Sequence, residues 1–460
     1  VAFVGTTLAN VTINDSGAFD LAALTLTGNL SVTSGGAISD SGVIDVDGTA
    51  SFTTGSANID IDNATGNGLT GAVSFTTTGT GDVTFDNGTT AINLGTVMVG
   101  QNLSITSGDS ITDSGVITVG GTASFETDTS DKLITLNLQN AITGQVTFNT
   151  TGTGGDVYFD NGTKAISLGT ISSGDIAGDL TLLTDADQTI SNAITLNGSG
   201  ADLSITVDNA NSLTVQAALT TNAGDITLSG EDDVIFTAAG DLTSGNGNII
   251  VKADDDSTSD AASGGALTMV DGTIFNAGSG TITGTSDEDI TLGQMTTINT
   301  TSTAITLNTK NGNILDGGDT DQDLTAASGT VSVTTGGGTF GTTLNAIEIN
   351  SASLSKTGEP VTVVTPTSEE NLSGTTETVG QASVDQTINI AGNIANAVES
   401  ANKIVVGSGA STVAVNIDSS LLGSGPVTVD VFSEQFPLLV SEGVDVGEFN
   451  SVWVSDEDEN

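Results

Sequence analysis

The residues best suited to chemistry in this chain are carboxylates. Asp316, Asp319, Asp321 and Asp323 fall close together, in the run DGGDTDQD. Calcium takes six to eight oxygen ligands from flexible Asp-rich loops, so this run is the candidate Ca²⁺ site. It has neither the spacing of an EF-hand nor the tandem Gly-Asp nonapeptides of calcium β-rolls, and solvated loop acids are the plain alternative. Asp254, Asp255, Asp256 and Asp260 form a second group, and Asp60 with Asp62 a smaller one. Glycoside hydrolysis needs two carboxylates at a set separation, and adjacent acids this abundant do not single out a pair. A lyase acting on an acidic sugar needs a base and cationic neutralisation. The chain has six lysines (132, 164, 252, 310, 356 and 403), no arginine and no histidine, so that machinery is missing. A polysaccharide-acting enzyme is therefore the remote reading, and the expectation is a protein without catalysis.

The charge narrows the partners. Asp and Glu number 56, for a formal net charge of −50. Phosphate recognition relies on Lys and Arg, so nucleic acid is a poor partner, and an anionic membrane surface is poor for the same reason. There is no cysteine, which removes disulfides, thiolate zinc sites and thiol chemistry. The opening VAFVGTTLANVTIND has no basic n-region and no long apolar stretch, so the chain as read is expected to be a mature protein or a fragment.

The elements that must hold these acids are repeats. Leu30 to Phe52, LSVTSGGAISDSGVIDVDGTASF, returns as Leu103 to Phe125, LSITSGDSITDSGVITVGGTASF, with 17 of 23 positions identical. Val73-Ser74-Phe75 returns as Val146-Thr147-Phe148, and FDNGT at 85–89 as FDNGT at 159–163. A Gly-[Asp/Asn]-[Ile/Leu] signature recurs at Gly28, Gly178, Gly224 and Gly247, and the step from 224 to 247 sets the length of one coil. Short runs of Val, Ile, Leu and Thr bounded by Gly, Asn, Asp and Ser read as strands. A coil of about 23–24 residues built from such strands is the unit of a right-handed parallel β-helix, an all-β solenoid. At that coil length the duplicated unit is three turns, which places Phe52 and Phe125 on one wall. Alternation puts Leu30, Val32, Ala50 and Phe52 inside and Ser31, Thr33 and Ser51 outside. Asn87-Gly88 and Asn161-Gly162 belong at corners needing positive φ. Thr25 and Thr27 form a Thr-x-Thr pair, but no regular flat ladder of threonines suited to ice is legible.

The rod is expected over residues 1–355. All four prolines follow residue 356, and 356–460 is expected to be a distinct C-terminal segment that caps or assembles the rod. Within it, 356–382 reads as a linker. Ile390 to Lys403 reads as a short helix from Ile390, Ile394, Ala397, Val398 and Ala401. The acidic end SDEDEN is solvated.

The tandem LSVTSGGAISDSG and FDNGT coils, with GGGTFGTTLNAIEINS at 336–351 and NGNILDGG at 311–318, resemble the repeat rods of filamentous-haemagglutinin-like and other large bacterial repeat adhesins. The resemblance covers about 1–355, and the NPNL and NPNG motifs of that family's secretion domain are not seen. It implies a secreted rod displayed on the surface of a Gram-negative bacterium. Partners would then be a cell surface, extracellular matrix or other copies of the chain. The alternative in that setting is an extracellular filament subunit polymerising end to end through 356–460.

Overall fold

The structure is a computed structural model. It describes residues 8–63, 66–254, 265–318, 321–342 and 346–358 in full, and beyond them the backbone of six short strands between Glu370 and Val431. The chain divides into two compact units, 1–231 and 232–460. In its described residues each is an all-β parallel solenoid.

In the first unit every coil visits three walls in turn. The first wall stacks Val11 under Leu30, Leu30 under Ala50 and Ala50 under Val73, and continues from Phe75 through Val97 to Ile117. The second runs Phe19, Ile38, Ile59, Val83, Leu103, Ala123, Val146 and Leu168. The third opens with Leu24 and Ile44 and continues through Ile92, Ile111, Ile134, Val157, Leu180, Leu203 and Ile226. Coil length is not constant along the unit. Corner residues bonded across one turn are 19 apart for Asn10 and Asn29, and 20 apart for Asn29 and Thr49. Further on, Asp156, Asp179 and Asp202 are spaced by 23 at each turn.

Those short early coils change what the duplication means. Three coils from Leu30 are complete at Leu94, so Leu103 falls on the next wall. The repeat is about three and a third turns, and each copy is rotated by one wall. Phe52 and Phe125 therefore lie on different walls, contrary to the expectation from coils of even length. Local geometry survives the rotation. Phe52 stacks on Phe75 at 5.7 Å, and Phe75 meets Phe85 of the second wall at 5.3 Å. Phe125 stacks on Phe148 at 6.0 Å, and Phe148 meets Phe159 of the third wall at 5.4 Å.

Side-chain alternation follows the strand period of two. Leu30, Val32, Ala50, Phe52, Val73 and Phe75 are buried, while Ser31, Thr33 and Ser51 face outward. Register on the first wall is unbroken from Val11–Asp15 through Leu30–Ser34 and Ala50–Thr54 to Ala72–Thr77. Its outward side chains thus form two files, Thr12-Ser31-Ser51-Ser74 and Asn14-Thr33-Thr53-Thr76. On the next rung the register shifts between Val73 and Phe75, and Met98 follows Thr76.

The second unit builds the same way. Leu267, Ile290 and Ile314 stack on one side, Ile282, Ile305, Val331 and Leu354 on another. Parallel pairing continues past residue 355, from Ile347–Thr357 to Glu370–Leu372 and Thr376–Val379, then to Lys403–Val406 and Thr428–Val431. Of the expected helix, Ile390 ends the strand Gln386–Ile390 and Lys403 starts another. Residues 391–402 lie outside the described residues, as do most of the expected linker and the acidic end.

Candidate functional site: carboxylates and amides at the corners

The Gly-[Asp/Asn]-[Ile/Leu] signature has a mechanical basis. The Asx side chain ahead of a strand accepts the backbone N–H of its counterpart one coil on. Asn29 N–H donates to Asn10 Oδ1 at 2.8 Å and Thr49 N–H to Asn29 Oδ1 at 2.9 Å. The rotated copy repeats this, with Thr122 N–H on Asn102 Oδ1 at 2.9 Å. Further along, Asp179 donates to Asp156 at 3.0 Å, Asp202 to Asp179 at 2.8 Å and Asp225 to Asp202 at 2.7 Å. In the second unit Asn313 donates to Asp289 at 2.6 Å and Thr339 to Asn313 at 2.9 Å. These ladders satisfy corner donors that the strand pairing leaves open. Glycine precedes the Asx because the corner rests on the coil below: a Cβ on Gly224 would collide with the Ala201 carbonyl oxygen.

A second set of amides points inward. Asn87 is fully buried. Its Oδ1 accepts Leu69 N–H at 2.9 Å, and its Nδ2 donates to the carbonyls of Leu69, Thr90 and Ala91 at 2.9–3.1 Å. Asn161 does the same for Ile142, with both bonds at 2.8–3.0 Å. Asn67 and Asn140 receive Ile44 and Ile117 N–H at 2.8 Å, and they donate to Asp40 and Asp113 at 2.9 and 3.0 Å. Gly88 and Gly162 take φ of 58° and 52° beside Asn87 and Asn161, as the sequence predicts for these corners. What the sequence reading missed is the amides' burial. The available signal was that Asp40, Asn67, Asp86 and Asn87 recur together in the second copy, as Asp113, Asn140, Asp160 and Asn161.

The Asp316 group is dispersed into such bonding. Asp316 is buried and accepts Gly318 N–H at 3.0 Å. Asp323 is buried and accepts Glu348 N–H at 2.8 Å. Asp321 is exposed and accepts the Gln294 amide at 3.2 Å. Asp319 lies outside the described residues, as do Asp255, Asp256 and Asp260. Among the described residues no three acidic side chains converge as a metal site would require.

Along one corner of the first unit carboxylates crowd together. Burial, and then the nearby Asp185 and Asp113, raise Asp160 above the ordinary carboxylate range. Burial, then Glu231, Asp185 and Asp160, raise Asp208. Burial raises Asp179 as well, against the pull of Asp202 N–H. An acid raised in the folded state binds its proton more tightly there than in the unfolded chain. The stability it contributes is full below the ordinary Asp value and is lost as pH rises through the raised one. Thermal stability at low salt should therefore increase as pH falls from neutral towards the ordinary Asp value. Asp208→Asn should flatten that increase, and a melting temperature falling over the same interval would contradict the assignment. Asp109, held low by Lys132 at 2.9 Å, and Asp131, held low by Thr153 and Gly154 N–H, act in the opposite sense only at lower pH.

Residues 8–76 and 80–149 each match the family described as Repeats of unknown function (DUF5649). The two matches cover the two rotated copies, and both form β-solenoid coils. No curated protein and no solved structure matches the chain.

Proposed function

We propose that the chain is a non-catalytic, secreted structural protein, the rod of a bacterial surface adhesin or extracellular fibre. The observation that carries this reading is how the acids and amides are used. Corner Asp and Asn side chains are bonded to backbone N–H groups of the adjacent coil, rung after rung. That chemistry serves construction, and the interior behind it is filled by Leu, Ile, Val and Phe. A net charge of −50 keeps such a surface solvated and favours contact with partners that are not themselves anionic. Calcium would screen the acidic surface in this setting.

Electron microscopy of the purified chain, with binding to host cells, tests the reading. Single short rods that adhere to cells are the expected result. Compact particles, or depolymerisation of an acidic polysaccharide on incubation, would sink it. Long uniform fibres growing with salt or calcium would favour the filament subunit instead. That reading draws on the parallel strands Lys403–Val406 and Thr428–Val431 within 356–460, because parallel rungs are a template for strand addition. Deleting 356–460 should then abolish the fibres.

A further inference from the structure

We propose that the outer face of the first wall binds ice. The two outward files described above give four in-register rungs bearing seven hydroxyls and one amide, with no charged group among them. No regular flat ladder of threonines is legible in the sequence, and the stacked coils form a mixed one instead. The ladder mixes Ser with Thr, and each member is a whole coil away from the next in sequence, so it is visible only when the coils are stacked.

The lack of charge is local. The neighbouring second wall turns Asp20, Asp60, Asp86 and Glu126 outward. A shorter version occurs in the second unit, where three successive rungs present Thr283 with Thr285, Thr306 with Asn308, and Ser332 with Thr334, next to a rung that carries Lys252. Of these, Ser332 Oγ also donates to the Ser302 carbonyl at 3.1 Å, and the Thr334 hydroxyl lies 3.0 Å from that of Thr357.

Spacing and chemistry decide the occupant. Stacked rungs repeat at ~4.8 Å and alternate side chains along a strand at ~6.7 Å. β-Branched threonines hold their hydroxyls in few rotamers, so the spacing is preset by the backbone. That two-dimensional repeat is close to the oxygen repeat on a prism face of hexagonal ice. A second protein is a poorer fit, because four rungs by five residues cover roughly 14 by 17 Å, well below the ~800 Å² per partner of a stable interface. A sugar polymer would favour aromatic platforms, and none of the eight positions is aromatic. An ordered water lattice asks only for a rigid, uncharged array of donors and acceptors at matching intervals.

Ice-affinity partition of the whole chain tests this. Ice is grown slowly from a dilute solution, and the retained fraction is compared with that of an acidic protein of similar size that does not bind ice. The native chain should be enriched several-fold. Thr33→Tyr, Thr53→Tyr, Thr285→Tyr and Thr306→Tyr together should reduce retention to the control level. Thr84→Tyr with Ser104→Tyr, on the second wall, should leave it unchanged. Circular dichroism of each variant checks the β fold, and Thr33→Lys with Thr285→Lys supplies a smaller disruption if the fourfold variant misfolds. Retention of the native chain no greater than the control, or undiminished retention by a folded variant of the two lattices, would overturn the proposal.

Discussion

Phe52→Asp should destabilise its coils by about 3 kcal/mol or more, while Ser51→Asp should change stability by about 0.5 kcal/mol or less. The two residues are adjacent in one strand, but Phe52 is fully buried against Phe75 and Ser51 faces out, bonded to the Ser31 hydroxyl at 3.1 Å. The aspartate at 52 would lose the aromatic stack and place a carboxylate among apolar side chains. Because solenoids open locally, the difference is best read by amide exchange in peptides covering 30–34, 50–54 and 72–77, alongside the melting temperature. Equal protection in the two variants would show that the side-chain register is inverted.

Asn87→Leu should be nearly as damaging, at about 2–4 kcal/mol, though it replaces a polar group with an apolar one of similar size. The substitution strands the Leu69 N–H and three carbonyls inside the corner, and a buried group left without its partner costs about 1–3 kcal/mol. Asn102→Ala removes an exposed ladder acceptor of the same residue type and should cost about 1 kcal/mol, because water replaces the lost partner. Exchange at the Leu69 amide reports the first change directly. If Asn87→Leu proved neutral, the inward amides would be incidental to the fold.

The parallel coil, the in-and-out register at Leu30 to Phe52 and the corner glycines were legible in the sequence because each is local. Alternation is written in consecutive residues, and the Asn-Gly pairs at 87–88 and 161–162 mark corners where the glycine takes a positive φ. The wall that a residue occupies is not local. It depends on the summed lengths of all preceding coils, and the difference between turns of 19 and turns of 23 carried Phe125 onto the next wall. The same reason hid the hydroxyl lattice, whose neighbours in space are separated by a whole coil. The partners of the acids are not all local either. Asp316, Asp321 and Asp323 look like ligands because they are close in sequence, yet each described carboxylate bonds a different segment: Gly318, Gln294 and Glu348.

The fractional turn in each duplicated block gives copy number a directional meaning. A block of three whole coils would only lengthen the stack. One of three and a third turns also advances the azimuth, so a feature borne by every copy winds round the axis as a thread does round a screw. Leu30, Leu103 and Leu180 lie on the first, second and third walls in turn. Gaining or losing one block within such an array would redirect every coil that follows by roughly 120°, one wall of three. Variation in length would then become variation in which way a face looks.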